Sequence, residues 1–123
     1  MIRKVILIGM LLMLTACATG GAGGDPADTV ERYLQAKIEG NRDTLQGLIC
    51  AEMEADLDRE AASFSGVEAR LEGLDCTHNA DANTVTCTGE IVATYGGEDR
   101  SFPLSTYNVV QEGGEWKWCG EGG

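Results

Sequence analysis

Residues 67–95 read VEARLEGLDCTHNADANTVTCTGEIVATY, and their alternation of apolar and polar side chains decides the fold. Val67, Ala69 and Leu71 alternate with charged residues, as they do in a strand with one buried face. The alternation slips by one position at Gly73, and such a slip is typical of a β-bulge. The stretch therefore predicts a bulged first strand rather than a helix.

The second half of the same stretch predicts how this strand is paired. A hairpin that turns through residues 81–82 sets Cys76 opposite Cys87. One residue beyond the bulge, Leu71 then lies opposite Ile91, so apolar residues face each other on both sides of the bulge. We therefore expect a long antiparallel hairpin in this register.

Two further strands follow in the sequence. One covers about residues 101–110, where Pro103 favours an edge or an irregular start because proline has no amide N–H. The other covers residues 115–119 and is reached through the glycine pair at 113–114. The sequence thus predicts four antiparallel strands.

Helices are predicted before the strands. Asp25 and Pro26 form a helix start, apolar residues recur at helical spacing, and Gly40 is a natural C-terminal glycine. A short second helix carries Leu45, Leu48 and Ile49, and a third from about residue 51 presents Met53, Leu57, Ala61 and Phe64 on one side. We expect the acidic residues of this third helix to form a solvated face: Glu52, Glu54, Asp56, Asp58 and Glu60.

The expected fold class is α+β, with N-terminal helices packed on a curved four-stranded antiparallel sheet. The chain of 123 residues has room for one small domain, which we place at residues 25–123. Such a domain buries only a modest core, so disulfides would help to stabilise it.

The N-terminus has the plan of a bacterial secretory signal. Arg3 and Lys4 precede an apolar stretch at residues 5–14, and no acidic residue occurs before Asp25. This stretch is half of the ~20 apolar residues that a membrane-spanning helix needs. We therefore expect residues 1–16 to be a signal peptide that is removed.

Residues 14–17, Leu-Thr-Ala-Cys, resemble the lipobox of bacterial lipoproteins. The resemblance implies that Cys17 becomes the first residue of the mature chain and carries a diacylglycerol thioether with a further acyl chain such as palmitate, enough for lasting membrane attachment. Residues 18–24 would then be a flexible, glycine-rich tether. Because Ala18 is not the aspartate of an inner-membrane retention signal, the resemblance implies the outer membrane in a Gram-negative host, and otherwise the outer face of the plasma membrane.

Charge excludes one class of partner. The chain has 20 acidic and 9 basic residues, a net charge of −11, which becomes −13 when Arg3 and Lys4 leave with the signal peptide. The remaining basic residues are scattered singly, so the domain has no basic patch for nucleic acid. Anionic headgroups would repel it too, and membrane contact is expected only through lipid on Cys17.

Four cysteines remain once the lipobox cysteine is assigned, an even number in a chain exported to an oxidising compartment. The hairpin register favours a Cys76–Cys87 disulfide, which leaves Cys50 to pair with Cys119. Zinc is the alternative, but no two of these cysteines are two to four residues apart, and the lone His78 lies in the predicted hairpin turn. We expect no metal.

Several features combine into a known pattern: the lipobox, the glycine tether, TVERYLQAK at residues 29–37 running to Gly40-Asn41, LQGLIC at 45–50 and WKWC at 116–119. Together they resemble the small bacterial lipoproteins with NTF2-like (cystatin-like) domains. The resemblance implies a cone, in which a curved antiparallel sheet surrounds the first helix and often encloses a cavity. Some NTF2-like proteins are isomerases or dehydratases that place a carboxylate base and polarising hydroxyls in that cavity.

No catalytic constellation stands out, because the inward strand positions are mostly apolar and most carboxylates fall on outward faces or turns. We therefore expect a non-catalytic domain that binds a small apolar ligand or an envelope protein, without a cofactor. The candidate ligand contacts are Tyr33, Tyr95, Trp116 and Trp118.

Two alternatives stay open. An NTF2-like enzyme requires a buried carboxylate within hydrogen-bonding distance of a tyrosine that lines the cavity. A purely structural or inhibitor-like envelope protein requires a filled core, with binding confined to loops such as residues 96–99.

The lipoprotein hypothesis predicts a mass. Intact protein isolated from membranes should begin at an acylated Cys17 and lack residues 1–16, as intact-mass spectrometry would show. A chain without Cys17 is the control and should not be recovered with acyl mass. An unmodified chain that retains Met1 would contradict the hypothesis.

Overall fold

The computed structural model describes residues 24–122, so the predicted signal peptide 1–16, Cys17 and tether residues 18–23 lie outside the described residues. Within these described residues, three α-helices and one 3₁₀ helix precede five β-strands. The helices are α1 (Pro26–Glu39), α2 (Arg42–Leu48), the 3₁₀ helix (Ala51–Asp56) and α3 (Leu57–Ala61). The strands are β1 (Glu68–Asn79), β2 (Thr84–Tyr95), β3 (Glu98–Pro103), β4 (Thr106–Glu112) and β5 (Glu115–Glu121). Within the described part of the chain, no helix is both long and apolar enough to cross a membrane.

Helix α1 begins and ends where its sequence signals predict. The Asp25 carboxylate accepts a hydrogen bond from the amide of Ala27 at 2.9 Å, and Pro26 occupies the first turn. Gly40 ends the helix in the left-handed region, with φ of 67°, and its N–H donates to the carbonyls of Ala36 and Lys37. The helix therefore needs no tertiary contact to define its ends.

The prediction of the third helix is only partly correct, because its first half is a 3₁₀ helix and only Leu57–Ala61 is α-helical. Alternating acids put like charges four residues apart, as in Glu52 with Asp56 and Glu54 with Asp58. Like charges at this spacing oppose an α-helix. The two helical segments therefore meet at Asp56 instead of forming one continuous helix.

The predicted register of the first hairpin is confirmed. Cys76 lies opposite Cys87 and Leu71 opposite Ile91, and the register shifts between Glu72 and Asp75, at the predicted bulge. Alternation and the position of the turn were sufficient to predict this pairing.

Among residues 24–122 the sheet has five strands, so the prediction of four strands is wrong. The segment predicted as one strand at residues 101–110 is divided into β3 and β4, which both pair with β2. Pro103 ends β3 because it has no N–H to donate to the neighbouring strand. The register of pairing with β2 then shifts at Leu104-Ser105, before Thr106 pairs with Thr86.

Gly89 of β2 lies between two irregularities, the bulge of β1 on one side and the change of register between β3 and β4 on the other. Its φ is +101°, and a Cβ added there would lie 2.5 Å from the carbonyl oxygen of Glu72 and 2.6 Å from the carbonyl carbon of Gly73. No other residue type fits such an approach between two backbones. The two slips increase the local bend of the sheet.

The sheet runs in the order β1-β2-β4-β5, with β3 also on β2, and α1 packs against it. The largest fully buried side chains come from both layers: Val30, Tyr33, Leu34 and Leu45 from the helices, Val85 and Val109 from the strands. The predicted α+β class, helices on an antiparallel sheet, is confirmed. The arrangement agrees with the NTF2-like fold that the sequence resemblance implies.

Both predicted disulfides are present in the structure. Cys76 and Cys87 join β1 to β2, and Cys50 and Cys119 join the helical segment to β5 across 69 residues. The second link is reinforced by the backbone, since the amide of Cys50 donates to the carbonyl of Trp118 at 2.8 Å. The helical layer is thus attached covalently to the last strand.

We expect Gly89→Ala to lower the free energy of unfolding by about 3 kcal/mol or more, because the new Cβ meets two backbones at positive φ. Gly47→Ala is the matched control, since nothing lies within 4 Å of its added Cβ in helix α2 and it should be neutral or slightly stabilising. Urea denaturation of the oxidised proteins measures both. Equal midpoints for the two variants would show that the close approach is not needed.

Replacing the Cys50–Cys119 pair by alanines should cost more stability than replacing Cys76–Cys87. Their sequence separations are 69 and 11 residues, and loop-closure entropy gives about 4 and about 3 kcal/mol respectively. Denaturant midpoints of the two double variants test the order. The reverse order would contradict an entropic account.

Candidate functional site

A cavity of about 510 Å³ lies between the helices and the sheet, within the size range of small-molecule sites. Helix α1 contributes Tyr33, Leu34 and Lys37, and the sheet contributes residues of β2, β4 and β5 together with the segment at 102–104. The 3₁₀ helix, α3 and the turn after α3 supply Met53, Glu60 and Phe64. The cavity thus lies where all the layers meet.

Most of the cavity wall is apolar and aromatic. Five of the seven aromatic residues of the chain line it: Tyr33, Phe64, Phe102, Tyr107 and Trp118. The rings of Tyr33 and Trp118 stack with centroids 4.0 Å apart, and Phe64 meets Phe102 edge-on at 5.9 Å. Phe102 is 40% exposed, so it lies at the open side, whereas Tyr33 and Trp118 are buried. Such a wall suits a ligand with an apolar body.

One polar cluster interrupts this wall. The hydroxyl of Tyr33 donates to Oε2 of Glu60, and the Lys37 ammonium lies 3.0 Å from the same oxygen. Lys37 also lies over the Tyr33 ring, 5.7 Å from its centroid. The cluster joins α1 to α3 and places one carboxylate, one ammonium and one hydroxyl together in the cavity.

The expectation that all five acids of the third helix face solvent is wrong for Glu60, which is 9% exposed. Glu60 follows the buried Leu57 by three residues and precedes Phe64 by four, which puts it on the apolar stripe of the helix. This spacing is the feature of the sequence that indicates a buried position for Glu60. The partners of Glu60 were not visible there, because Tyr33 is 27 residues away.

Two tyrosines of the cavity are held in the neutral form. Burial, and then the hydrogen bond to Glu60, raises the pKa of Tyr33 far above its ordinary value. Burial also raises the pKa of Tyr107, although the amide of Ser105 donates to its oxygen at 3.2 Å and acts in the opposite direction. Both phenols therefore keep their protons at neutral pH; the Tyr33 hydroxyl donates to Glu60, whereas the Tyr107 hydroxyl accepts from Ser105.

The charges that line the cavity balance. Lys37 and Arg59 are positive and Glu60 and Glu121 are negative. Arg59 is mostly exposed and pairs with Asp56 at 2.6 Å, so it lies at the rim. Among the described residues, the indole N–H of the buried Trp118 has no hydrogen-bond partner.

The structure brings together two of the four candidate ligand contacts, Tyr33 and Trp118. Trp116 instead lines a different concavity near the start of α1, among the carboxylates Asp25, Asp28, Asp43 and Glu115. Tyr95 is 38% exposed at the end of β2, with the Arg100 guanidinium 5.9 Å from its ring centroid. The residues that the sequence reasoning missed are Glu60, Lys37 and Phe102.

In the part of the chain that the structure describes, no three His, Cys, Asp or Glu side chains are grouped so as to hold a metal ion. The Lys37–Glu60–Tyr33 cluster offers a single carboxylate with its charge already compensated. What the arrangement can do is hold a polar group of a ligand against one carboxylate.

Comparison with protein-family models and with curated proteins finds no match for this chain. Two solved structures of designed proteins are similar to it. One is a de novo designed β-sheet protein determined by solution NMR, 17% identical over 80% of this chain and 91% of that one, with a TM-score of 0.48. The other is a design named Rd1NTF2_05 with five substitutions, 17% identical over 76% of this chain and 95% of that one, with a TM-score of 0.44.

Burial of Tyr33 predicts an alkaline loss of stability. Above pH 10, the ordinary tyrosine pKa, the unfolded chain releases the Tyr33 proton while the folded chain keeps it, so the free energy of unfolding falls as pH rises. In Tyr33→Phe this fall should be less steep by up to about 1.4 kcal/mol per pH unit. Urea denaturation at several alkaline pH values measures it. The exposed Tyr95, changed to Phe, is the control, and parallel slopes for Tyr33→Phe and wild type would contradict the account.

Proposed function

We propose that this chain is a membrane-tethered bacterial envelope lipoprotein whose domain binds a small, largely apolar ligand in the cavity, without catalysis. The cavity carries the proposal, because a space of about 510 Å³ with aromatic walls lies between the helices and the sheet. A purely structural protein would instead fill this space with side chains. The lipobox and glycine tether support the membrane attachment.

Tethering and binding fit together in this hypothesis. The tether joins the domain at Asp25, the start of α1, whereas the cavity is lined by Tyr33 and Lys37 in the second half of that helix. Several helical residues, each adding a rise of ~1.5 Å along the helix axis, separate the tether from the cavity. The cavity would therefore lie away from the point of attachment and stay accessible to ligands in the aqueous envelope.

An enzyme is the second candidate, and one observation favours it. Glu60 has a buried carboxylate that accepts a hydrogen bond from a tyrosine lining the cavity. An NTF2-like isomerase or dehydratase requires this arrangement. Against it, Tyr33 and Lys37 both bind Oε2 of Glu60, so proton transfer would have to use the other oxygen. We therefore place binding first.

A cavity-filling variant tests the binding function. In the chain from residue 17 onward, with Cys17→Ala to remove lipid, we expect the neutral dye Nile red to bind with enhanced, blue-shifted fluorescence. Leu104→Trp places a large ring in the cavity and should weaken dye binding at least about 10-fold. Val110→Trp is the matched control, since Val110 is an exposed apolar residue outside the cavity. Equal affinity of the two variants for the dye would show that Nile red binds outside the cavity, which would contradict the proposal.

The enzyme candidate has its own test. In D₂O, a β,γ-unsaturated ketone that enters the cavity should exchange the hydrogens of the CH₂ group between its carbonyl and its double bond faster with the wild type than with Glu60→Gln, as NMR would show. No difference between the two proteins would leave binding as the function of the site.

A further inference from the structure

We infer that the cavity selects a neutral, mostly apolar alcohol or phenol, whose hydroxyl donates to Glu60 and accepts from Lys37. The inference rests on the proposed binding function and names the ligand class. It follows from three features of the cavity: its charge balance, the unused hydrogen-bonding positions of its polar cluster, and the chemistry of its walls.

The charge balance excludes an ionic ligand. The Lys37–Glu60 pair at 3.0 Å is already compensated within the cavity, and the rim charges Arg59 and Glu121 have opposite signs. A charged ligand would lose its hydration and gain no net attraction, which is unfavourable next to buried apolar side chains. A neutral ligand avoids this cost.

The polar cluster has one acceptor and one donor position to offer. Both described contacts of Glu60, from Tyr33 and from Lys37, are made to Oε2, and among residues 24–122 its Oε1 has no hydrogen-bond partner. One N–H of the Lys37 ammonium donates to the Tyr33 oxygen at 3.4 Å, and the ammonium forms an ion pair with Oε2 of Glu60 at 3.0 Å, so at least one of its three N–H donors is unused. A carboxylate oxygen and an ammonium N–H thus remain for a ligand.

A hydroxyl is a neutral group that satisfies both positions with a single atom, whereas an amide needs two atoms to do so. The hydroxyl donates one proton to Oε1 of Glu60 and accepts a proton from Nζ of Lys37 with its lone pairs. An ether or a ketone accepts but cannot donate, and a hydrocarbon does neither. Both hydrogen bonds involve an ionised partner in a site shielded by apolar side chains, where such bonds are strong.

The walls accommodate the rest of the molecule. Met53, Phe64 and Leu104 are half-buried and Phe102 is exposed at the open side, so their apolar surface is available to a ligand. The deeper rings of Tyr33 and Trp118 are occupied by stacking on each other. A rigid apolar body lying against these side chains places its one hydroxyl at the Lys37–Glu60 pair.

Four probes that share a biphenyl body test the class: 4-biphenylmethanol, 4-ethylbiphenyl, biphenyl-4-carboxylate and 4-biphenylmethylammonium. They are titrated into the chain from residue 17 onward with Cys17→Ala, which contains every described residue, and followed by tryptophan fluorescence and calorimetry. We expect 4-biphenylmethanol to bind about 10-fold tighter than 4-ethylbiphenyl, a difference of about 1.4 kcal/mol, and tighter than both ions.

Glu60→Gln shows whether this preference comes from the carboxylate. It keeps an oxygen for Tyr33 and removes the charge, so the preference for the alcohol should fall to about 2-fold. Glu54→Gln is the matched control, an exposed acid of the 3₁₀ helix that precedes α3 and does not line the cavity, and it should keep the full preference. Should Glu60→Gln fail to fold, the ranking of the four probes on the wild type still decides.

Each other outcome overturns a specific claim. Equal affinity for the alcohol and the hydrocarbon, or an unchanged preference in folded Glu60→Gln, overturns the ligand class and leaves the binding function intact. Tightest binding of the carboxylate or of the ammonium overturns the argument from charge balance. No binding of any probe overturns the proposed function together with this inference.

Discussion

Tyr33 is the side chain on which the arrangement of the site depends. Its ring stacks on Trp118 of β5, and its hydroxyl donates to Glu60 of α3, so one residue of α1 contacts both the sheet and the neighbouring helix. Because Tyr33 is almost fully buried, the phenol must keep its hydrogen bond and the Glu60 carboxylate must keep its counter-charge, Lys37. The apolar packing and the polar cluster therefore stabilise each other.

Covalent and backbone constraints keep the sheet in position around that side chain. The Cys50–Cys119 disulfide fixes the residue that follows Trp118, and the Cys50 amide bonds to the Trp118 carbonyl. At the other side of the sheet, the approach of Gly89 to Gly73 bends β1 and β2. A small domain with a modest core thereby keeps an open cavity between its layers.

Much of this fold was predictable from the sequence. Alternation, a glycine slip and a central turn determined the register of β1 with β2, and Asp25, Pro26 and Gly40 determined the ends of α1. These features are local or depend on a single loop closure. The division of the third predicted strand at Pro103 depends on how the residues before and after it pair with β2. The sequence of a single segment does not determine such non-local pairing.

The site was less predictable. Glu60 resembled its four acidic neighbours in the sequence, and only its packing against Tyr33 and Lys37 distinguishes it from them. Burial of a carboxylate is tolerated because two partners compensate it, and both partners come from another helix. Helical spacing indicated the buried position, but only the tertiary structure shows a binding site there.

The most direct test of the account is a map of contacts between a bound probe and the protein. Intermolecular NOEs from the aromatic protons of 4-biphenylmethanol should reach the side chains of Met53, Phe64 and Leu104, which line the cavity. NOEs confined to Tyr95 or Trp116, which lie outside it, would contradict the account.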